Sequence, residues 1–152
     1  MGYQTTIPTV HPCTNSQVGQ AGRIPAELAN PHFLQYLHSR FSAASEERLH
    51  VVYCDATKRY LYDETIAIGG ENSLVMRVRP LVHRALMIGA GSLVIAHNHL
   101  SGVCKPSEQD IRATRRLQDL GAALELELVD HLIFTRERFF SMAAAGMLAR
   151  ID

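Results

Sequence analysis

The chain has 152 residues, 47% of them hydrophobic and 20% charged, and its 15 basic and 15 acidic side chains cancel. Those values fit one globular domain with a real core and exclude a disordered or membrane-spanning chain. They also exclude the broad basic surplus of a domain that holds nucleic acid mainly through phosphates.

In chain order, residues 1–24 carry Pro8, Pro12 and many small polar residues without an apolar period, which predicts a flexible arm ahead of a domain spanning 25–152. A helix is expected from about Pro25 to Ser42, with Phe33, Leu37 and Phe41 at four-residue spacing. Arg48 to Cys54 reads as a strand, Asp55 to Lys58 as a turn, and Arg59 to Ile68 as the hairpin partner, ended by Gly69-Gly70. A helix from about Arg79 to Ile88 follows, its apolar face made by Leu81, Val82, Ala85 and Leu86, with Gly89 and Gly91 as its stop. Residues 92–96 are a short buried strand. Ser107 opens a helix reaching about Leu120, stopped by Gly121; 123–129 and 132–135 read as two strands, and 139–148 as a closing helix. Strands and helices mix without strict alternation, which predicts an α+β layered domain.

Cys13, Cys54 and Cys104 are odd in number and lack any paired spacing. No leader or membrane-length apolar run is visible, so a reducing cytoplasm and no membrane partner are the expectation. Arg77, Arg79 and Arg84, and then Arg112, Arg115 and Arg116, form local clusters that read as solvated helix faces.

Chemistry concentrates where strand 92–96 runs out. His97-Asn98-His99 is followed seven residues later by Ser107-Glu108-Gln109-Asp110. In extended chain, residues i and i+2 point to the same side, so both imidazoles can face one ion while Asn98 faces the other way. Two imidazoles and a carboxylate are a standard zinc set, leaving a fourth position for water. Proline followed by Ser-x-x-acid is also an ordinary helix start, the serine capping backbone N–H groups and the acid favoured in the first turn. The two roles are compatible, since Ser107 can cap while Asp110 presents its carboxylate to a metal. His50 and His83 read as ordinary core or surface histidines.

The combination resembles the JAMM (MPN-plus) metalloprotease motif, which adds a glutamate upstream at the start of a strand. Glu47 stands immediately before the strand Arg48 to Cys54, whereas Glu46, one residue off, would point the other way. Within that superfamily the chain is more similar to the RadC family. It shows VIAHNHLSG from Val94, KPSEQD from Lys105, Thr114 one turn later, and Asp130-His131 before a hydrophobic strand. The resemblance runs from about Glu47 to Leu148 and implies an MPN, cytidine-deaminase-like layered domain with a mixed sheet flanked by helices. It also implies Zn2+ held by His97, His99 and Asp110, Glu47 as general base toward the water, and Ser107 as hydrogen-bond donor to the oxyanion of a peptide or protein substrate. Bound zinc brings the pKa of its water to about 7, and one oxyanion donor is worth roughly 3 kcal/mol.

Two positions depart from the family pattern. Leu100 replaces the proline after the second histidine, which frees φ there. Cys104 puts a thiol near the ligands, as an inert loop side chain, a redox-sensitive group or an extra ligand. Asp130-His131 reads either as a pair supporting the loop and strand ends or as a turn, not as a ligand. Family members often carry a helix-hairpin-helix module ahead of this domain; no hairpin pair is visible before Glu47, and nucleic-acid association stays open. Two functions follow: a zinc-dependent amide or isopeptide hydrolase, or a DNA-repair-associated interaction module with a structural metal. Glu47 and Ser107 favour the first, because a structural zinc needs neither and usually has four protein ligands.

Overall fold

Seven consecutive buried residues, Ser92–Asn98, make the strand around which the protein is built. The computed structural model describes residues 11–13, 30–69 and 76–149. In chain order its elements are β1 (His11–Pro12), α1 (Pro31–Ser39), β2 (Arg48–Cys54), β3 (Tyr60–Ile68), α2 (Val78–Met87), β4 (Ser92–Asn98), α3 (Glu108–Ala123), β5 (Glu127–Phe134) and β6 (Arg138–Ser141). The strands form one mixed sheet in the order β1-β6-β5-β4-β2-β3. β4 runs parallel to β5 and β1 to β6, while the other neighbours are antiparallel. The expected α+β layered domain is what forms.

Both faces of the sheet are covered, which is why β2 and β4 lack the alternation of a half-exposed strand. On one face Leu49, Val51 and Tyr53 of β2 and Leu93 and Ile95 of β4 pack with Leu81 and Ala85 of α2 and Leu117 of α3. On the other, Val52, Val94, Ala96 and Phe134 pack with Leu37 and Phe41 from α1 and the turn after it. No helix among the described residues is long and apolar enough to cross a membrane.

Several elements differ from the sequence expectation. The expected arm 1–24 and the helix start at 25–29 lie outside the described residues apart from 11–13. α1 begins at Pro31 behind Asn30, whose side chain accepts the His32 N–H, and it ends at Ser39 rather than Ser42. There Ser39 and Ser42 turn their hydroxyls back to the carbonyls of Tyr36 and Ser39, competing with helix continuation. In α2, Leu86 is 52% exposed and Val78 is buried in its place.

The two strands expected over 123–135 are one, β5, because Asp130 and His131 find buried partners inside the pleat instead of turning out to water. The helix expected over 139–148 is the strand β6 followed by turns. Asp130 explains that. Its carboxylate accepts the Ser141 hydroxyl and the Ala143 N–H, and the Met142 N–H goes to the His131 carbonyl, so donors a helix would need are taken by β5.

On the α1 face, His50 of β2 lies 2.7 Å by Nε2 from Asp63 of β3 and 3.1 Å by Nδ1 from the Thr65 hydroxyl. Burial holds the His50 ring below its ordinary pKa even beside Asp63, so the neutral ring donates to Asp63 and accepts from Thr65. Asp63 is held below the usual carboxylate range, although burial opposes it, by hydroxyls of Tyr36 and Tyr60 and by His50.

Gly121, expected to stop α3, lies inside it two residues before its end. Its carbonyl accepts the N–H groups of Leu124 and Leu126, at 3.0 and 2.8 Å, as the chain doubles back. A Cβ at Gly121 would collide with the Leu126 carbonyl oxygen, a backbone atom that cannot swing aside. We expect Gly121→Ala to destabilise by about 1–3 kcal/mol in urea unfolding, despite the better helix propensity of alanine.

The His50 shift makes a second expectation. The unfolded chain binds a proton at His50 below the ordinary value of 6.5 while the folded chain resists it, so this contribution is complete above that pH and is lost as pH falls. Urea unfolding between about pH 7 and pH 5 should show stability dropping, with a shallower slope for His50→Gln.

Candidate metal centre

The end of β4 and the start of α3 meet at one point. β4 is central and buried, so its last side chains are held by neighbours on both sides: His97 is paired with Leu49 of β2 and Ile133 of β5. His97 and His99 turn to the α3 side, their Nε2 atoms 2.8 Å apart. Asp110 Oδ2 lies 3.2 Å from His99 Nε2 and 3.4 Å from His97 Nε2. Ligand atoms 2.0–2.1 Å from a tetrahedral ion stand about 3.3 Å from one another, so these three positions have the spacing of one face of such a set. The three residues are the metal-competent group of histidine, cysteine and carboxylate side chains among the described residues.

Proton placement follows from one hydroxyl. The Thr114 hydroxyl donates to the Asp110 carbonyl at 2.6 Å and lies 2.7 Å from His131 Nδ1. Its single proton being spent, it accepts from His131 Nδ1–H. His131 Nε2 therefore carries a lone pair and accepts from His97 Nδ1–H at 2.7 Å. That leaves the lone pair of His97 Nε2 facing the site. His99 is set in the same way, its Nδ1–H donating to the Val103 carbonyl at 2.9 Å. Two imidazole lone pairs and a carboxylate oxygen thus converge, an arrangement that repels itself without a cation.

A proton on His99 relieves that repulsion where a cation would. Burial opposes a charged His99 ring, but hydrogen bonds to Asp110 and the Val103 carbonyl, with the nearby Glu47 charge, raise its pKa. Burial also opposes ionised Asp110, yet His97, His99 and the Ser107 N–H hold its carboxyl far below the usual range. His131 is wholly enclosed, and burial keeps it neutral.

Asp110 does two things at once. Ser107 caps α3 with its hydroxyl oxygen on the Asp110 N–H at 3.1 Å, and Asp110 Oδ2 accepts the Ser107 N–H at 2.7 Å. The capping box coexists with a carboxylate oxygen within 3.4 Å of both histidines. Ser107 is exposed, and its hydroxyl proton has no acceptor among the described residues. Glu47 stands half-buried just before β2, near enough for its charge to act on His99, while Glu46 turns to the Arg48 guanidinium at 3.1 Å.

His99 lines a groove of about 950 Å³ whose walls include Phe41, Ser42, Leu100, Phe134 and Arg136. His97 and Asp110 line a separate pocket of about 40 Å³ with Leu49, Met76 and His131. Cys104 is no ligand: it is disulfide-bonded to Cys13, 91 residues away. The two cysteines pair although the sequence shows no paired spacing. β1 pairing with β6 carries Cys13 to the loop, and both cysteines pack against Ile133, Phe140 and Met142, a proximity that no spacing in the sequence announces. The supporting part of Thr114 was also invisible, though its place one turn after Asp110 was not.

Thr114→Val leaves His131 Nδ1–H buried without an acceptor, at a cost of about 1–3 kcal/mol. Long-range 1H–15N spectra should show Nδ1–H tautomers for His97 and His131 in the parent protein, and loss of the His131 assignment in the variant.

Comparison with known proteins identifies the family. A family model described as a RadC-like JAB domain matches residues 29–147. A UPF0758 protein of Aquifex aeolicus is 32% identical over 130 residues, covering 85% of this chain and 56% of that protein. One of Bacillus licheniformis is 33% identical over 126 residues, 83% and 54% of the two chains, and one of Burkholderia vietnamiensis is 38% identical over 113 residues, 74% and 44%. The chain spans about half the length of these relatives, whose shared name states no activity. The match covers β2 to β6 and the metal-competent cluster at the end of β4, and the chain belongs to the RadC-like JAB domain family.

Proposed function

We propose that this domain is a zinc-dependent hydrolase of amide or isopeptide bonds, with His97, His99 and Asp110 as the metal ligands. The observation that supports the reading is the convergence of two imidazole Nε2 atoms and one carboxylate oxygen, with both Nδ1 atoms engaged from behind. Family membership suggests a metal-dependent hydrolase, and the residues add the chemistry. Zinc bound there would lower the pKa of a coordinated water to about 7 and polarise a substrate carbonyl.

The chain's own residues divide the remaining work. Glu47, beside His99 and half-buried, takes a proton from the attacking water and returns it to the leaving amine. Ser107 keeps its oxygen on the helix cap and offers its free hydroxyl proton to the developing oxyanion. Because that oxygen accepts from the Asp110 N–H, the hydroxyl is pointed by the same bond that starts α3. The groove beside His99 accommodates an extended stretch of polypeptide, with the buried Phe134 and Phe41 in its floor.

Near-stoichiometric zinc is expected in the purified parent protein and its loss in His99→Ala and Asp110→Ala, read by elemental analysis. Zinc that survives both substitutions overturns the ligand assignment. Glu47→Gln should keep the metal and lower hydrolysis of a peptide library by roughly 10²–10⁴-fold; equal rates would remove Glu47 from the role of base.

A further inference from the structure

Asn98 sits between the two converging histidines and takes no part in their convergence. Its side chain leaves the opposite face of β4 and is 5% exposed. The amide oxygen accepts the Arg48 N–H at 2.7 Å, and the amide nitrogen donates to the Glu46 carbonyl at 3.1 Å. Those are the peptide groups on either side of Glu47. The ladder between β2 and β4 ends at Leu49–His97, so Arg48 is the first residue of β2 without a main-chain partner on that side. At this point the carboxamide of Asn98 replaces the main chain. On the other flank the Glu47 carbonyl accepts the Gly69 N–H at 2.7 Å.

We propose that Asn98 is a positioning residue for Glu47: its carboxamide straddles the Glu47 backbone and sets the reach of the carboxylate to the metal ligands. The proposal rests on Glu47 being the base. Its physical content is that three consecutive residues, His97–His99, place both the metal and the group that works beside it. The strand alternation that sends two imidazoles to one side sends this amide to the other, where the neighbouring strand begins. A carboxamide is the side chain suited to the task, since it offers a donor and an acceptor at once. Aspartate keeps the acceptor for Arg48 but sets a charge against the Glu46 carbonyl. Alanine keeps neither.

Full-length chain loaded with Zn2+ is compared as parent, Asn98→Ala and Asn98→Asp, each also in a Glu47→Gln background. In Asn98→Ala the Arg48 amide should exchange about tenfold faster, while those of Val94 and Ile95 keep their rates and zinc content is unchanged. The kcat for peptide hydrolysis should fall roughly 10- to 100-fold with KM unmoved, and the substitution should cost nothing further once Glu47 is glutamine. Asn98→Asp should keep Arg48 protection and recover part of kcat, and it serves as the deciding variant if Asn98→Ala does not fold. Unchanged Arg48 exchange, loss of zinc, or an equal loss of kcat with and without the Glu47 carboxylate would overturn the proposal. A zinc-loaded parent protein that hydrolyses nothing would instead fail the hydrolase reading, and faster Arg48 exchange would still establish the backbone clamp.

Discussion

The single hydroxyl proton of Thr114 is the constraint from which the site is ordered. Donated to the Asp110 carbonyl, it makes the oxygen an acceptor for His131 and so determines which nitrogen of His97 is bare. The run passes through a helix, a strand and a second strand, with both nitrogens of His131 and the Nδ1 of His97 committed. A ring so held cannot flip or change tautomer without leaving a buried polar group unsatisfied. Thr114 is also a residue of α3, so the carbonyl it contacts and the carboxylate facing His99 both belong to Asp110. The helix carries ligand and support together.

The sheet supplies the rigidity that this wiring requires. β4 and β5 are parallel neighbours with His131 paired to Ile95, two residues before His97, which brings the two rings within 4.8 Å of one another. Beyond them Asp130, with no exposed surface, gathers the turn after β6. Burial pushes its carboxyl up to about 6, against hydrogen bonds from Ser141, Ala143 and His131 that favour the charged form. Asp130 and His131 are adjacent yet face opposite sides of the strand, one knitting β6 to β5 and the other backing His97.

How much of this could be read from the sequence depended on whether the determining contact was local. The strand before His97, the hairpin of β2 and β3, the cap at Ser107 and the spacing of His97, His99 and Asp110 are set by near neighbours, and each was legible. The 139–148 segment was misread because its helical pattern is overridden by Asp130, 11 residues before Ser141 in the chain. β5 was split in two because an Asp-His pair looks like a turn until its buried partners on α3 and β6 are known. The clamp by Asn98 spans 50 and 52 residues and leaves no local signature beyond the alternation that turns it away from the ions' side.

The bond between Cys13 and Cys104 follows from how the strands are paired. Cys13 is delivered by a two-residue strand whose sheet neighbour among the described residues is β6, and β6 itself pairs with β5. The pairing of β1 with β6 and of β6 with β5 therefore brings the two sulfurs together, so in the native chain the covalent link seals a proximity that the strands create. Once closed over 91 residues, it removes loop entropy from the unfolded chain worth on the order of 4–5 kcal/mol in the chain-entropy account. The loop after His99 is thereby fastened to the far edge of the sheet by a bond that responds to thiols and not to denaturant.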